Sequence, residues 1–158
     1  MARCAGVVRL GADASGIVGT VERTLIVGVD GSEDAKVAVN WAAEVAPALD
    51  ARVVAVHAVG LLEHERGDPE SSHLRPELAQ WTTALDGLPA GRVERRLIPG
   101  DPVSVLLDLA ASEPGAIVTI GTRGKGGRLG YTLGSTSLQV AERCPCPVVI
   151  VPRPAGDG

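Results

Sequence analysis

IVTIGTRGKGGRLGYTLGSTS, from Ile117 to Ser137, holds six of the chain's glycines between a strand-like run and a helix-like one. A short apolar run, Ala116 to Ile120, stops at Gly121. Gly124, Gly126, Gly127, Gly130 and Gly134 follow, and Ser135, Thr136 and Ser137 lead into a helical pattern. A strand that ends in glycine and reaches a helix N-terminus through Gly, Arg and Lys is the layout of an anion cradle. Glycine lets the backbone approach a ligand closely, and the unsatisfied N–H groups of a helix start face the anion. Arg123, Lys125 and Arg128 add positive charge inside the stretch. The pattern predicts a phosphate chain bound here.

Upstream, the same strand-then-helix alternation repeats. Thr24 to Val29 (TLIVGV) is an apolar, β-branched run with little alternation, as in a strand covered on both faces. Asp30-Gly31-Ser32 is a turn, with Ser32 placed as N-cap ahead of Glu33 and Asp34. Ala38, Trp41, Ala42, Val45 and Leu49 recur at helical spacing, and Pro47 should end or kink that helix. Arg52 to Val59 is a second strand, and the polar segment from Gly60 to Ser72 a loop. Leu74 to Leu85 reads as a helix closed by Gly87.

Val93 to Ile98 is a third strand, polar enough to lie near a sheet edge. Asp101 and Pro102 are a cap and a first helical residue for a helix whose buried face is Val103, Leu106, Leu107 and Ala110. Ala116 to Ile120 is the fourth strand, Ser135 to Arg143 the last helix and Val148 to Val151 the fifth strand. The alternation predicts an α/β fold: a doubly wound five-stranded parallel sheet with helices on both faces. Residues 23–153 form one domain in this reading. Residues 1–22 are a weakly ordered extension and 154–158 a tail.

Composition bounds the function. The 158 residues are 45% apolar, enough for a single buried core, and with no Phe that core is built from Val, Ala, Leu and Ile. A net charge of −4 gives no global attraction for nucleic acid. No apolar run approaches the roughly 20 residues that span a bilayer, and Arg9, Asp13 and several glycines interrupt any N-terminal leader. No membrane association and a cytoplasmic location are expected. Of the three cysteines, Cys144 and Cys146 form one C-x-C, half a metal site at best, and the bland reading is two half-buried thiols.

Ligands of open α/β sheets bind beyond the carboxyl ends of strands, where strand order reverses. Asp30 ends the first strand and Gly121 the fourth. If those strands are neighbours, a carboxylate faces the glycine loop. It is badly placed for phosphate but suited to a sugar hydroxyl or base amine, so the pair points to a nucleotide. The P-loop motif fails, because Gly127 stands where Lys is needed; the dinucleotide fingerprint fails, because Leu129 replaces its last glycine. What remains is Gly121-x2-Gly124-x9-Gly134-Ser135.

That spacing, with IVGVDGSEDA, VVAVHAV, the PGDP junction and CPCPVVIVPR, resembles a universal stress protein domain over roughly Val21 to Pro152. The resemblance implies a Rossmann-like fold of the adenine nucleotide alpha hydrolase type and places the chain with the ATP-binding members. It implies that Asp30, flanked by Gly28 and Val29, and Ala58 hold the adenosine. Gly121, Gly124, Gly134 and Ser135 would hold the phosphates, with Ile120, Arg123 and Thr136 beside them and Mg2+ carried by the phosphates. It also implies a homodimer through Val148–Val151. His57 reads as a packed strand residue, and His64 and His73 pair with no nucleophile. No HExxH or GxSxG is present. The expectation is an ATP-binding stress-response regulator with no catalytic residue and at most slow hydrolysis. The alternatives are an adenine-nucleotide-processing enzyme and a protein-interaction module without nucleotide.

Overall fold

A computed structural model describes residues 22–60, 71–124 and 133–154. The elements run β1 (Arg23–Gly28), α1 (Glu33–Val45), β2 (Ala51–Val59), α2 (Ser71–Trp81), a 3-10 turn (Thr83–Gly87), β3 (Val93–Pro99), α3 (Pro102–Ser112), β4 (Ala116–Gly121), α4 (Ser135–Arg143) and β5 (Val148–Val151). All four strand pairings are parallel, and the order across the sheet is β3-β2-β1-β4-β5. This is the doubly wound α/β sheet that the alternation predicts.

Each central strand is apolar on both faces because each face is covered. In β1, Leu25 and Val27 point into one core with Ala38, Val39 and Ala42 of α1, Leu78 of α2 and Leu85. Ile26 points the other way, into a second core with Val103 and Leu106 of α3, Val118 and Ile120 of β4 and Val140 of α4. Leu25, Ile26, Val27, Val53, Val54 and Val118 are fully buried. Side chains of this size stabilise by about 1.5–3 kcal/mol each on burial. β3 and β5 are the edges; the polar third strand is therefore peripheral, as its composition predicts.

The caps follow the predicted chemistry. Ser32 Oγ accepts from the Ala35 N–H at 3.1 Å, and Asp101 Oδ2 accepts from the Ser104 N–H at 3.0 Å. Two helices are shorter than the periodicity suggests. α1 ends at Val45, two residues before Pro47, with residues 46–50 in turns. The predicted helix over 74–85 breaks at Thr82. Its hydroxyl donates to the Leu78 carbonyl at 2.7 Å and competes with the helical ladder, and a 3-10 turn carries Leu85 into the core. Of the predicted loop at 60–72, residues 61–70 fall outside the described residues, as does most of the predicted N-terminal extension. Ser71 and Ser72 belong to α2, which starts three residues before the predicted helix.

Candidate nucleotide site

β1, β2 and β3 are laid down in one direction from the sheet centre, and β4 returns to the opposite side of β1. The strand order therefore reverses between β1 and β4, and their carboxyl ends open a crevice there. A cavity of about 470 Å³ occupies it, within the roughly 300–1,000 Å³ common for small-molecule sites.

Its base comes from the strands: Gly28 and Val29 from the β1 end, Val56, His57 and Ala58 from β2, Ile120 and Gly121 from β4. Val105 and Leu106 of α3 close one wall. The rim is polar and consists of Asp30, Arg123, Gly124, Gly134, Ser135 and Thr136. All eleven residues singled out in the sequence thus line one cavity.

Three of these glycines stand where a Cβ would meet a neighbour, and only at Gly121 is that neighbour backbone. At Gly121 a Cβ would lie 2.4 Å from the Asp34 carbonyl oxygen, so β4 and the first turn of α1 approach backbone to backbone. At Gly124 a Cβ would lie 2.6 Å from Asp30 Oδ2, which sets the loop against the β1 carboxylate. At Gly28 it would meet Ile120 Cγ2 at 3.0 Å. Asp30 is held in place by its other oxygen, which accepts from the Ser32 N–H at 2.9 Å. It shapes the turn without serving as the α1 cap, since Ser32 has that role.

The glycine loop is pinned at both ends. Thr122 Oγ1 donates to Asp34 Oδ1, and Asp34 Oδ2 lies 3.7 Å from Arg153 Nη1. The Gly134 N–H donates to the Thr122 carbonyl at 2.8 Å, and Ser137 Oγ donates to the Gly121 carbonyl at 2.9 Å. One expectation needs correcting here. The Gly134 N–H closes the loop and is not a donor for a ligand. Those of Ser135 and Thr136, the first two helical residues, remain at the helix start. Gly126, Gly127, Gly130, Lys125 and Arg128 lie outside the described residues.

Sequence reasoning missed part of the wall. His57 is half-buried in the cavity lining, with Nδ1 2.7 Å from the Val29 carbonyl and its ring edge-on to Trp81 at 5.2 Å. That contact puts the proton on Nδ1, which donates to Val29. Leu106 was legible only as a core residue, because an apolar position looks the same in a core and in a ligand wall, and Val105 lay off the predicted buried face. The Asp34–Thr122 bond joins residues far apart in sequence, and neither carries a motif.

The profile of the universal stress protein family matches residues 22–152. A universal stress protein encoded beside a sulfhydrylase gene in Thermus aquaticus is 35% identical over 136 residues, which cover 82% of this chain and 98% of that one. Universal stress protein Rv1636 of Mycobacterium tuberculosis is 30% identical over 143 residues, covering 82% and 95%. Among solved structures, a universal stress protein in complex with cAMP superposes with a TM-score of 0.64 at 27% identity, covering 84% of this chain and 98% of that one. A universal stress protein of Archaeoglobus fulgidus in complex with dAMP gives 0.58 at 19%, covering 82% and 97%. With the profile spanning β1, β4 and the glycine loop that follows β4, the chain belongs to the universal stress protein family.

Proposed function

We propose that the cavity binds an adenine nucleotide, ATP in particular, and that the chain acts as a nucleotide-responsive stress regulator rather than a catalyst. The observation that carries this is the Asp30 carboxylate beside Gly124, where a Cβ would lie 2.6 Å from Oδ2. It sets a hydrogen-bond acceptor for a sugar next to the glycine loop within one cavity.

The residues fit such a ligand. Val56, Ala58, Ile120 and Leu106 offer apolar surface to a base, and Asp30 accepts from ribose hydroxyls. The backbone at Gly124, the N–H groups of Ser135 and Thr136 and the Ser135 hydroxyl face the phosphates, with Arg123 beside them. The α4 N-terminus contributes about 0.3–1 kcal/mol toward an anion there. No group of three or more metal-ligating side chains occurs among the described residues, so Mg2+ would be carried by the phosphates. The relative in complex with cAMP supports an adenine nucleotide in this class of site.

Little in the cavity serves hydrolysis. A catalyst needs a base within reach of an attacking group. The cavity imidazole, His57, has its Nδ1 proton committed to the Val29 carbonyl. At most slow hydrolysis follows. The purified chain, denatured and analysed, should release adenine nucleotide, and incubation with ATP and Mg2+ should yield ADP only at trace rate. Rapid multiple-turnover ADP formation would replace the regulatory reading with the enzymatic one. Asp30→Ala should weaken ATP while leaving inorganic triphosphate binding unchanged; an equal loss of both would reduce Asp30 to a turn-forming residue.

The unshared edge of β5 is proposed to pair with a second copy of the chain. No described helix is long and apolar enough to cross a membrane.

A further inference from the structure

Outside the cavity, one pair of nucleophilic side chains is in contact. Cys144 and Cys146 are thiols whose sulfurs lie 3.5 Å apart, both half-buried against the second core. They flank exposed Pro145 at the bend between α4 and β5. Cys144 caps α4 in an extended conformation (φ −65°, ψ 131°), the region that a following proline favours. Its N–H donates to the Val140 carbonyl at 2.9 Å. The Pro147 carbonyl, next after Cys146, accepts from the Val118 N–H at 3.0 Å, where the β4–β5 ladder begins. The two sulfurs are thus fixed from both sides, by a helix end and by a sheet.

We infer that Cys144 and Cys146 form a reversible dithiol modification site, oxidised by peroxide to an intramolecular disulfide. One thiolate attacks a peroxide oxygen; the O–O bond breaks, hydroxide leaves and a sulfenic acid forms on that sulfur. The second thiolate attacks the sulfenic sulfur, the S–S bond forms, and the hydroxyl departs as water. The two thiols lose two electrons and two protons, and hydrogen peroxide is reduced to two waters.

The sulfurs are already in contact at 3.5 Å, so the second thiol need not travel to reach a sulfenic acid on the first. A resolving thiol in contact traps the sulfenic acid before a second peroxide can carry it to the irreversible sulfinic state. With one residue between the cysteines, the ring is small and strained, which makes the bond readily reducible rather than a permanent staple. Half-burial leaves both sulfurs within reach of a small oxidant. The site lies at the end of α4 remote from the cradle, so it does not depend on nucleotide binding.

The test uses the full chain, treated with hydrogen peroxide, alkylated and digested with trypsin. Cleavage after Arg143 releases a single peptide that begins at Cys144 and contains both sulfurs. The expected product is that peptide, two hydrogens lighter and without alkyl groups, returning to a doubly alkylated form after glutathione treatment. Cys4→Ser should give the same result, and Cys146→Ser should give no intrapeptide disulfide. A dithiol that survives peroxide, sulfinic acid on unlinked cysteines, or a disulfide to Cys4 or to a second chain would each overturn the assignment.

Discussion

Gly124 has no side chain, and the Asp30 carboxylate fills the space where one would stand. The residue is exposed and has no positive φ, so a larger side chain there acts on the site more than on the fold. Gly124→Glu would set a second carboxylate against Asp30 and against the phosphates. Two like charges about 4 Å apart cost about 1–4 kcal/mol between bulk water and a partly buried site. ATP affinity should therefore fall by about 5- to 700-fold, with only the repulsion against Asp30 lowering the thermal midpoint of the free protein. Titration calorimetry of the variant checks this, and wild-type affinity would remove the loop from the site. Gly121 would report differently. There a Cβ meets the α1 backbone, so Gly121→Ala should lower the melting temperature as well as the affinity. Both glycines were legible in the sequence through their spacing. Their separate reasons were not, because Asp30 and Asp34 approach them only once β1 and β4 are neighbours.

Between elements, charge joins β2 and β3 to the end of α3. Glu113 follows the last turn of α3, and its side chain is only 11% exposed. It accepts from Arg52 on β2 and from Arg96 on β3, the latter at 2.8 Å. Glu113→Ala would leave two guanidinium groups without that partner and should destabilise by about 1–3 kcal/mol, read as a lowered denaturation midpoint. Glu94 is the weaker partner. Arg96 holds its carboxyl below the ordinary value of 4.5, through a hydrogen bond and through charge. A lowered folded-state value stabilises fully above the ordinary one and fades as pH falls through the lowered value. The stability difference between the wild type and Glu94→Gln should therefore be constant above pH 4.5 and shrink below it. It should stay under about 1 kcal/mol, because the carboxylate is half exposed. At this scale the sequence was informative about element type and order, since apolar runs and caps are local. It could not show that the charges of β3 interlock with Arg52 and Glu113, which are brought together only by the β2–β3 register and the return of α3. Nor did periodicity reveal the break at Thr82, where one side-chain hydrogen bond ends the helix.

Across the whole molecule the two sheet edges differ. β3 carries Glu94, Arg95 and Arg96, whose ion pairs blunt it against another strand. β5 is VVIV, with Val148, Val149 and Ile150 only half-buried and no charge along it. A two-fold pairing of β5 with its copy would cover this edge. Light scattering at micromolar concentration should give twice the 16.2 kDa chain mass, and a monomer would leave the edge for another partner. The sheet matters to function because its order reverses between β1 and β4, which opens the cavity and aligns Asp30 with the glycine loop. Whether this cavity holds an adenine nucleotide is read by calorimetric titration of the full chain with ATP and Mg2+. Saturable binding at one site per chain, which GTP does not displace, is the predicted result. No heat and no thermal shift with ATP, AMP or cAMP at millimolar concentration would contradict it.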